Sequence, residues 1–172
     1  MAILRHHVAG LICSACLVVA LPLMANAPAA AESGSADMGS SGSAGSSDIY
    51  LPVSTPAGLQ ALAAASTQLG KPYKWGGTGP NSWDCSGLTQ WAFSTAGVHL
   101  PRTSQQQSKV GHAIPAWALA PGDIIIFWHD ASHVGIYAGF GQVLNAYGPN
   151  GVPVGFNPLD RMPPVKTIRR LG

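Results

Sequence analysis

Two stretches of the chain repeat their apolar positions with the period of a helix. In the first, Leu59, Leu62, Ala63, Ser66 and Leu69 share one face. The spacing predicts a helix over residues 55–70 with that face in the core. Thr55 is a capping residue, Pro56 suits the first helical position, and Gly70 suits the stop. In the second, Leu88, Trp91, Ala92 and Thr95 recur at i, i+3, i+4 and i+7, with Asp84 ahead as N-cap and Gly97 behind. A Gly/Pro-rich loop over residues 71–83 joins the two, and a short helix is expected over 103–110. Beyond Pro121-Gly122 the period changes. Residues 123–128, 133–138 and 142–147 are short, β-rich and bounded by turn residues, and 165–169 alternates in part. Helices first and strands afterwards predict an α+β fold with an antiparallel sheet.

The segment ahead of this pattern has a different character. Arg5, His6 and His7 precede an apolar run from Val8 to Met24 and the small-residue site Ala25-Asn26-Ala27. That order is expected of a secretory signal peptide, placed at residues 1–31, with cleavage after Ala27 or after Ala31. Pro22 interrupts the run, which is short for a membrane span; a retained anchor is the alternative. Lipidation at Cys13 or Cys16 fits poorly, because neither has Leu three positions earlier. Eleven of the fifteen residues from 33 to 47 are Ser or Gly, so residues 32–52 are expected to be a linker with a reach of about 20 Å. One folded domain is then expected over residues 53–172. It carries eight Lys or Arg and four Asp or Glu, a formal +4. That excess suits an anionic wall surface and is too weak and scattered for nucleic acid. A monomer is the default.

Cysteine usage sharpens the picture. With the first segment removed, Cys85 alone is left of three. Exported structural cysteines come in pairs, so a single one suggests a reactive thiol, a buried small hydrophobe being the plain alternative. Cys85 falls in the first turn of the second helix, where unpaired amides and the macrodipole are expected to stabilise a thiolate. Ser86 and Gly87 follow it, small enough to admit a substrate backbone, and the Cys85 amide is a candidate oxyanion donor.

A thiol nucleophile needs a base. Of the six histidines, His6 and His7 lie in the leader, and His99 and His112 lie in aperiodic, polar surroundings. His129 and His133 flank a turn between strands, and His133, which opens a strand with Gly135 beside it, is the preferred candidate. A hairpin turning about Gly139 would set Asn145 directly opposite His133, on the same face, able to orient the imidazole. A strand Asn bonding its neighbour's backbone is the alternative, and a one-residue slip would break the pairing. His129, Asp130, His133 and Cys85 make a poor metal frame, because no C-x-x-C or helical H-x-x-x-H supports them. No metal or cofactor is expected.

Five short motifs, in order, carry a family likeness: Tyr73-Lys74-Trp75-Gly76-Gly77, Asp84-Cys85-Ser86-Gly87, Leu100-Pro101-Arg102-Thr103-Ser104, Pro121-Gly122-Asp123 and His133-Val134-Gly135-Ile136-Tyr137. Over residues 59–147 the chain resembles the NlpC family of peptidoglycan cysteine endopeptidases. The resemblance implies a papain-like fold, with the cysteine helix packed on the sheet and the histidine on a strand. It implies Cys85 as nucleophile, His133 as general base and Asn145 as the third polar residue, where many members carry histidine. Tyr73 resembles the tyrosine near the cysteine that serves the oxyanion or substrate. Asp84 and Ser86 look like substrate-contacting positions, with helix capping the simpler role for Asp84. Arg102 resembles a family arginine with a structural or substrate-binding role.

The implied substrate is a peptidoglycan stem peptide, cut between D-γ-glutamyl and diaminopimelate, in the periplasm or cell wall. The rival readings are a silent relative that only binds wall fragments, a cysteine acyltransferase or amidase on another substrate, and an effector aimed at other cells. Residues 148–151 are a candidate loop over the cleft. Trp83 and Trp128 are candidate lining residues, although tryptophans more often fill cores.

Overall fold

The first helix begins where its cap dictates. In the computed structural model, which describes residues 50–148 and 152–172, Thr55 accepts a hydrogen bond from the Gly58 amide and α1 runs Pro56–Ser66. Its buried face overlaps the expected one at Leu62, which is partly buried against the core, and otherwise differs. Leu59 and Leu69 are 47% and 44% exposed, while Gly58, Ala61 and Ala65 are buried. The correction has a packing cause. Gly58 lies directly on the backbone of Gly122, so a Cβ at Gly122 would collide with it and one at Gly58 would be crowded. Close approach of backbones selects the small-residue face over the leucine face.

α2 runs Cys85–Thr95, and its N-cap is Asp84, whose carboxylate accepts from the Gly87 amide. Leu88 and Ala92 are buried as expected. Trp91 is half-buried against Trp83, Thr95 is exposed, and Phe93 is a core residue that the periodicity missed. α3 is shorter than its expected span. It occupies Ser104–Gln107 behind a capping box of Thr103 and Gln106.

Six strands follow: β1 His112–Ile114, β2 Ile124–Phe127, β3 His133–Gly139, β4 Gln142–Asn145, β5 Gly155–Pro158 and β6 Val165–Arg170. They form one antiparallel sheet in the order β1-β6-β2-β3-β4-β5. The α+β order expected from the sequence is the one that forms. β1 and β5 had no legible signal, being three or four residues long, with Gly and Pro in β5.

The central strand β2 is buried along its whole length because both sheet faces are covered. One face, through Ile124, Ile126, Val134, Ile136 and Leu144, packs on the helices with Leu88 and Ala92. The other face gathers Ile125, Phe127, Val143 and Ile168 with Tyr50 and Tyr137. Each fully buried isoleucine contributes about 2 kcal/mol.

Tyr50 packs on the second face, and Arg170 donates to the Leu51 carbonyl, 2.6 Å. The expected signal segment with Cys13 and Cys16, the linker up to residue 49, and residues 149–151 of the candidate loop lie outside the described residues.

Candidate active site

The Cys85 end of α2 is built around one carboxylate. Asp84 Oδ1 accepts from the Gly87 amide (2.6 Å), the Ser86 hydroxyl (3.3 Å) and Arg102 Nη1 (3.1 Å). Its Oδ2 accepts from the Gly76 amide (2.9 Å) and Arg102 Nη2 (2.5 Å). Arg102 Nη1 also reaches Ser86 Oγ at 2.9 Å. The motif around Gly76, the cysteine turn and the arginine are therefore tied together by Asp84. Hydrogen bonding to Asp84, outweighing partial burial, raises the Arg102 pKa. From below, the buried Gln107 donates to the carbonyls of Ser86 and Pro101. Gly87 is small for a reason other than substrate access: a Cβ there would collide with the Gly77 carbonyl, which already accepts from the Asp84 amide.

Cys85 is the free cysteine among the described residues and is buried. Its sulfur lies within reach of the Val134 backbone N–H, one residue along β3 from His133, and of the Ser86 amide and side chain. Burial pushes the thiol pKa up. The Val134 amide pulls it down, Asp84 raises it, and the Ser86 contacts lower it. This corrects the expectation of a thiolate favoured by the helix terminus, because desolvation outweighs the first-turn amides. The thiol faces a cleft of about 360 Å³ lined by Trp75, Asp84, Ser86, Arg102 and Ser132 among others.

His133 is 4% exposed and set among aromatic rings, with centroids 4.9 Å from Tyr147, 5.7 Å from Phe127 and 6.0 Å from Trp128. This desolvation pulls its pKa down to about 4, and the Asn145 side chain pulls the other way. The imidazole is therefore neutral at pH 7. His129, the alternative base, is exposed, and its carbonyl accepts from Lys166.

The hairpin register differs from expectation by two residues. Ile136 pairs with Leu144 and Tyr137 with Val143, and the turn falls at Phe140-Gly141. Continued along the strands, that register sets Gly135, not His133, opposite Asn145. A two-residue shift keeps the face, so Asn145 is a diagonal neighbour of His133 and reaches it across Gly135. A Cβ at Gly135 would collide with Val143 and crowd the Asn145 Cβ. The glycine makes room for the asparagine. Asn145 Nδ2 donates to Val143 O and to Asn157 Oδ1, both at 3.2 Å. His133 Nε2 and Asn145 Oδ1 are buried and complete no hydrogen bond of normal geometry among the described residues. The contact between these side chains is close enough to bias the imidazole but loose.

Tyr73 lies by the same thiol. Burial, then Cys85, then Asp84 push its phenol pKa up, so the hydroxyl stays protonated. The backbone of Gly148 packs on its ring, where a Cβ would not fit. The remaining tryptophan expectations divide. Trp83 is core, its ring tilted against Trp91 with centroids 4.9 Å apart and its indole N–H donating to Gln68 Oε1. Trp128 stands at the site, stacked on Tyr147. Residues that the sequence did not single out are Ser132, in the cleft, and Tyr147 and Asn157, behind the imidazole. The β4–β5 register brings Asn157 there, and the segment just beyond β4 brings Tyr147.

The arrangement unites a buried thiol, a neutral imidazole, a phenol donor and a satisfied carboxylate–guanidinium pair, the elements of thiol acyl chemistry. Known proteins resemble the chain in sequence and fold. The model of the NlpC/P60 family matches residues 70–161, more than half of the chain. A Corynebacterium glutamicum protein named "Probable endopeptidase" is 46% identical over 112 residues, 65% of this chain and 53% of the relative. The chain thus spans about half the length of that relative. Among solved structures, NlpC1 from Trichomonas vaginalis aligns with a TM-score of 0.62 at 40% identity, covering 66% of this chain and 43% of that one. The peptidoglycan hydrolase RipB from Mycobacterium tuberculosis aligns at 0.60 and 32% identity, covering 66% and 64%. The papain-like fold implied by the resemblance is the fold of these neighbours, and the chain belongs to the NlpC/P60 family.

Proposed function

We propose that this chain is a secreted peptidoglycan hydrolase that cleaves stem-peptide amide bonds, the D-γ-glutamyl–diaminopimelate bond first among them, with Cys85 as nucleophile and His133 as base. One observation carries the reading. The single described cysteine is the first residue of α2, behind the Asp84 cap, and its sulfur abuts β3 beside a buried, neutral histidine backed by Asn145. Family membership and the likeness to a peptidoglycan hydrolase support the substrate class. The leader-like residues 1–31 support export.

The protonation states favour proton transfer during attack over a standing ion pair. His133 takes the Cys85 proton as sulfur bonds to the amide carbon. The Cys85 backbone amide, unused by the helix at its first turn, and the Tyr73 hydroxyl receive the oxyanion. Collapse breaks the C–N bond, and the amine leaves with the proton from His133. Water, deprotonated by the same imidazole, then hydrolyses the thioester and restores the thiol. Asp84 and Arg102 hold the cysteine turn, and Arg102 with Ser86 edges the substrate cleft.

The test compares the mature domain with its Cys85→Ala variant on defined muropeptides, products being identified by mass spectrometry. Cleavage by the wild type alone is expected. Equal cleavage by both proteins would remove Cys85 from the mechanism.

A further inference from the structure

Behind the imidazole, Asn145 is 1% exposed and its side-chain amide is asymmetric in its partners. Both Nδ2 hydrogens have acceptors, Val143 O and Asn157 Oδ1, while Oδ1 has none except the neighbouring imidazole edge. Turning the amide over would set Oδ1 against the Val143 carbonyl, which can only accept. It would also aim an N–H pair at His133. The β4–β5 register explains why Asn157 is the second acceptor. Gly155 lies directly opposite Asn145 and has no side chain, whereas Asn157 pairs with Val143 and reaches Asn145 on the diagonal.

We propose that Asn157 is a positioning residue, holding the Asn145 amide with its oxygen toward His133 Nε2 and so fixing the imidazole tautomer that keeps Nδ1 free to accept a proton. The inference rests on the proposed role of His133 as base. A neutral histidine has two tautomers, and the hydrogen bond at one nitrogen decides which nitrogen accepts at the other. His133 Nε2 and Asn145 Oδ1 are both buried without a completed hydrogen bond, and the Asn145 side chain acts on the imidazole, so Nε2–H is the favoured form. Asn157 touches neither substrate nor the reacting atoms. It acts through Asn145 alone, from the half-buried edge strand β5.

The experiment uses the full chain with Asn157→Leu, which keeps the branched heavy-atom outline and removes the acceptor, and Asn157→Asp, which keeps an acceptor oxygen. Nitrogen-resolved NMR of the His133 ring at pH 7 reads the tautomer. Muropeptide turnover reads kcat and KM separately. The Leu variant is expected to mix the tautomers and lower kcat by about tenfold with KM within about twofold, and the Asp variant to stay near wild type on both readouts. A Leu variant with the wild-type tautomer overturns the proposal. So does an Asp variant as damaged as the Leu variant, since loss would then not follow the acceptor. If the wild type cleaves no muropeptide, the functional reading fails separately, and the tautomer ratio still decides the role of Asn157.

Discussion

The two sides of the cleft are built in opposite ways. On the α2 side, the Asp84 carboxylate accepts five hydrogen bonds, and three segments of chain are joined through it. On the β3 side, two buried polar atoms, His133 Nε2 and Asn145 Oδ1, face a loose contact. A satisfied network rigidifies, whereas an unsatisfied buried pair holds polarity in reserve. The contrast fits a division of labour in which the cysteine turn is fixed and the proposed base is tuned by its surroundings.

Removing the imidazole tests the tuned side most severely. His133→Ala is expected to lower muropeptide turnover by about a thousandfold or more while the cysteine turn stays folded, since no part of the Asp84 network touches it. Steady-state assays with thermal melts check both halves.

The fixed side should fail in stability instead. Asp84→Ala removes the α2 cap and leaves Arg102 without its carboxylate, at an expected cost of about 3 kcal/mol. Equilibrium urea unfolding measures it. A variant as stable as wild type would mean that the network is ornamental.

pH separates the two sides further. His133 is neutral in the fold down to about pH 4, against 6.5 when unburied. The unfolded chain therefore binds the extra proton between those values. The contribution to stability is fully present above 6.5 and lost as pH falls through 4, amounting to about 3 kcal/mol. The acid limb of activity is expected near 4 for the same reason, and a limb near 6.5 would place the histidine in a wetter site. Urea midpoints and kcat/KM across pH 3–8 check the two.

The smallest effect is expected at Gly148→Ala, where the new methyl displaces the Tyr73 ring and lowers kcat by up to about tenfold, as a single oxyanion donor moves out of line. A companion Tyr73→Phe variant should show no further loss on adding the alanine.

How much of this was legible depended on the range of the interactions. Asp84 as N-cap, Cys85 in the first helical turn and His133 at a strand start are local features, written in capping chemistry and β-pattern, and all three formed as expected. The face of α1 was misread because Gly58 and Ala61 look weaker than Leu59, and only the close approach of Gly122 selects them. The hairpin register slipped by two because the turn falls at Phe140-Gly141, yet the even shift spared the His133–Asn145 face. The cysteine was expected to favour thiolate from its helix position, and burial reversed that balance.

By itself, then, the sequence determined the α+β order, the cap, and the elements that carry the thiol and the imidazole. These depend on residues within a turn or two of one another. Tertiary structure alone decided that Asp84 would be claimed by Arg102 eighteen residues away, and that Asn157 would reach Asn145 across a glycine. It also decided that aromatic rings would desolvate His133. Proton affinity and amide orientation answer to neighbours gathered from distant parts of the chain, and no local pattern encodes the distances between them.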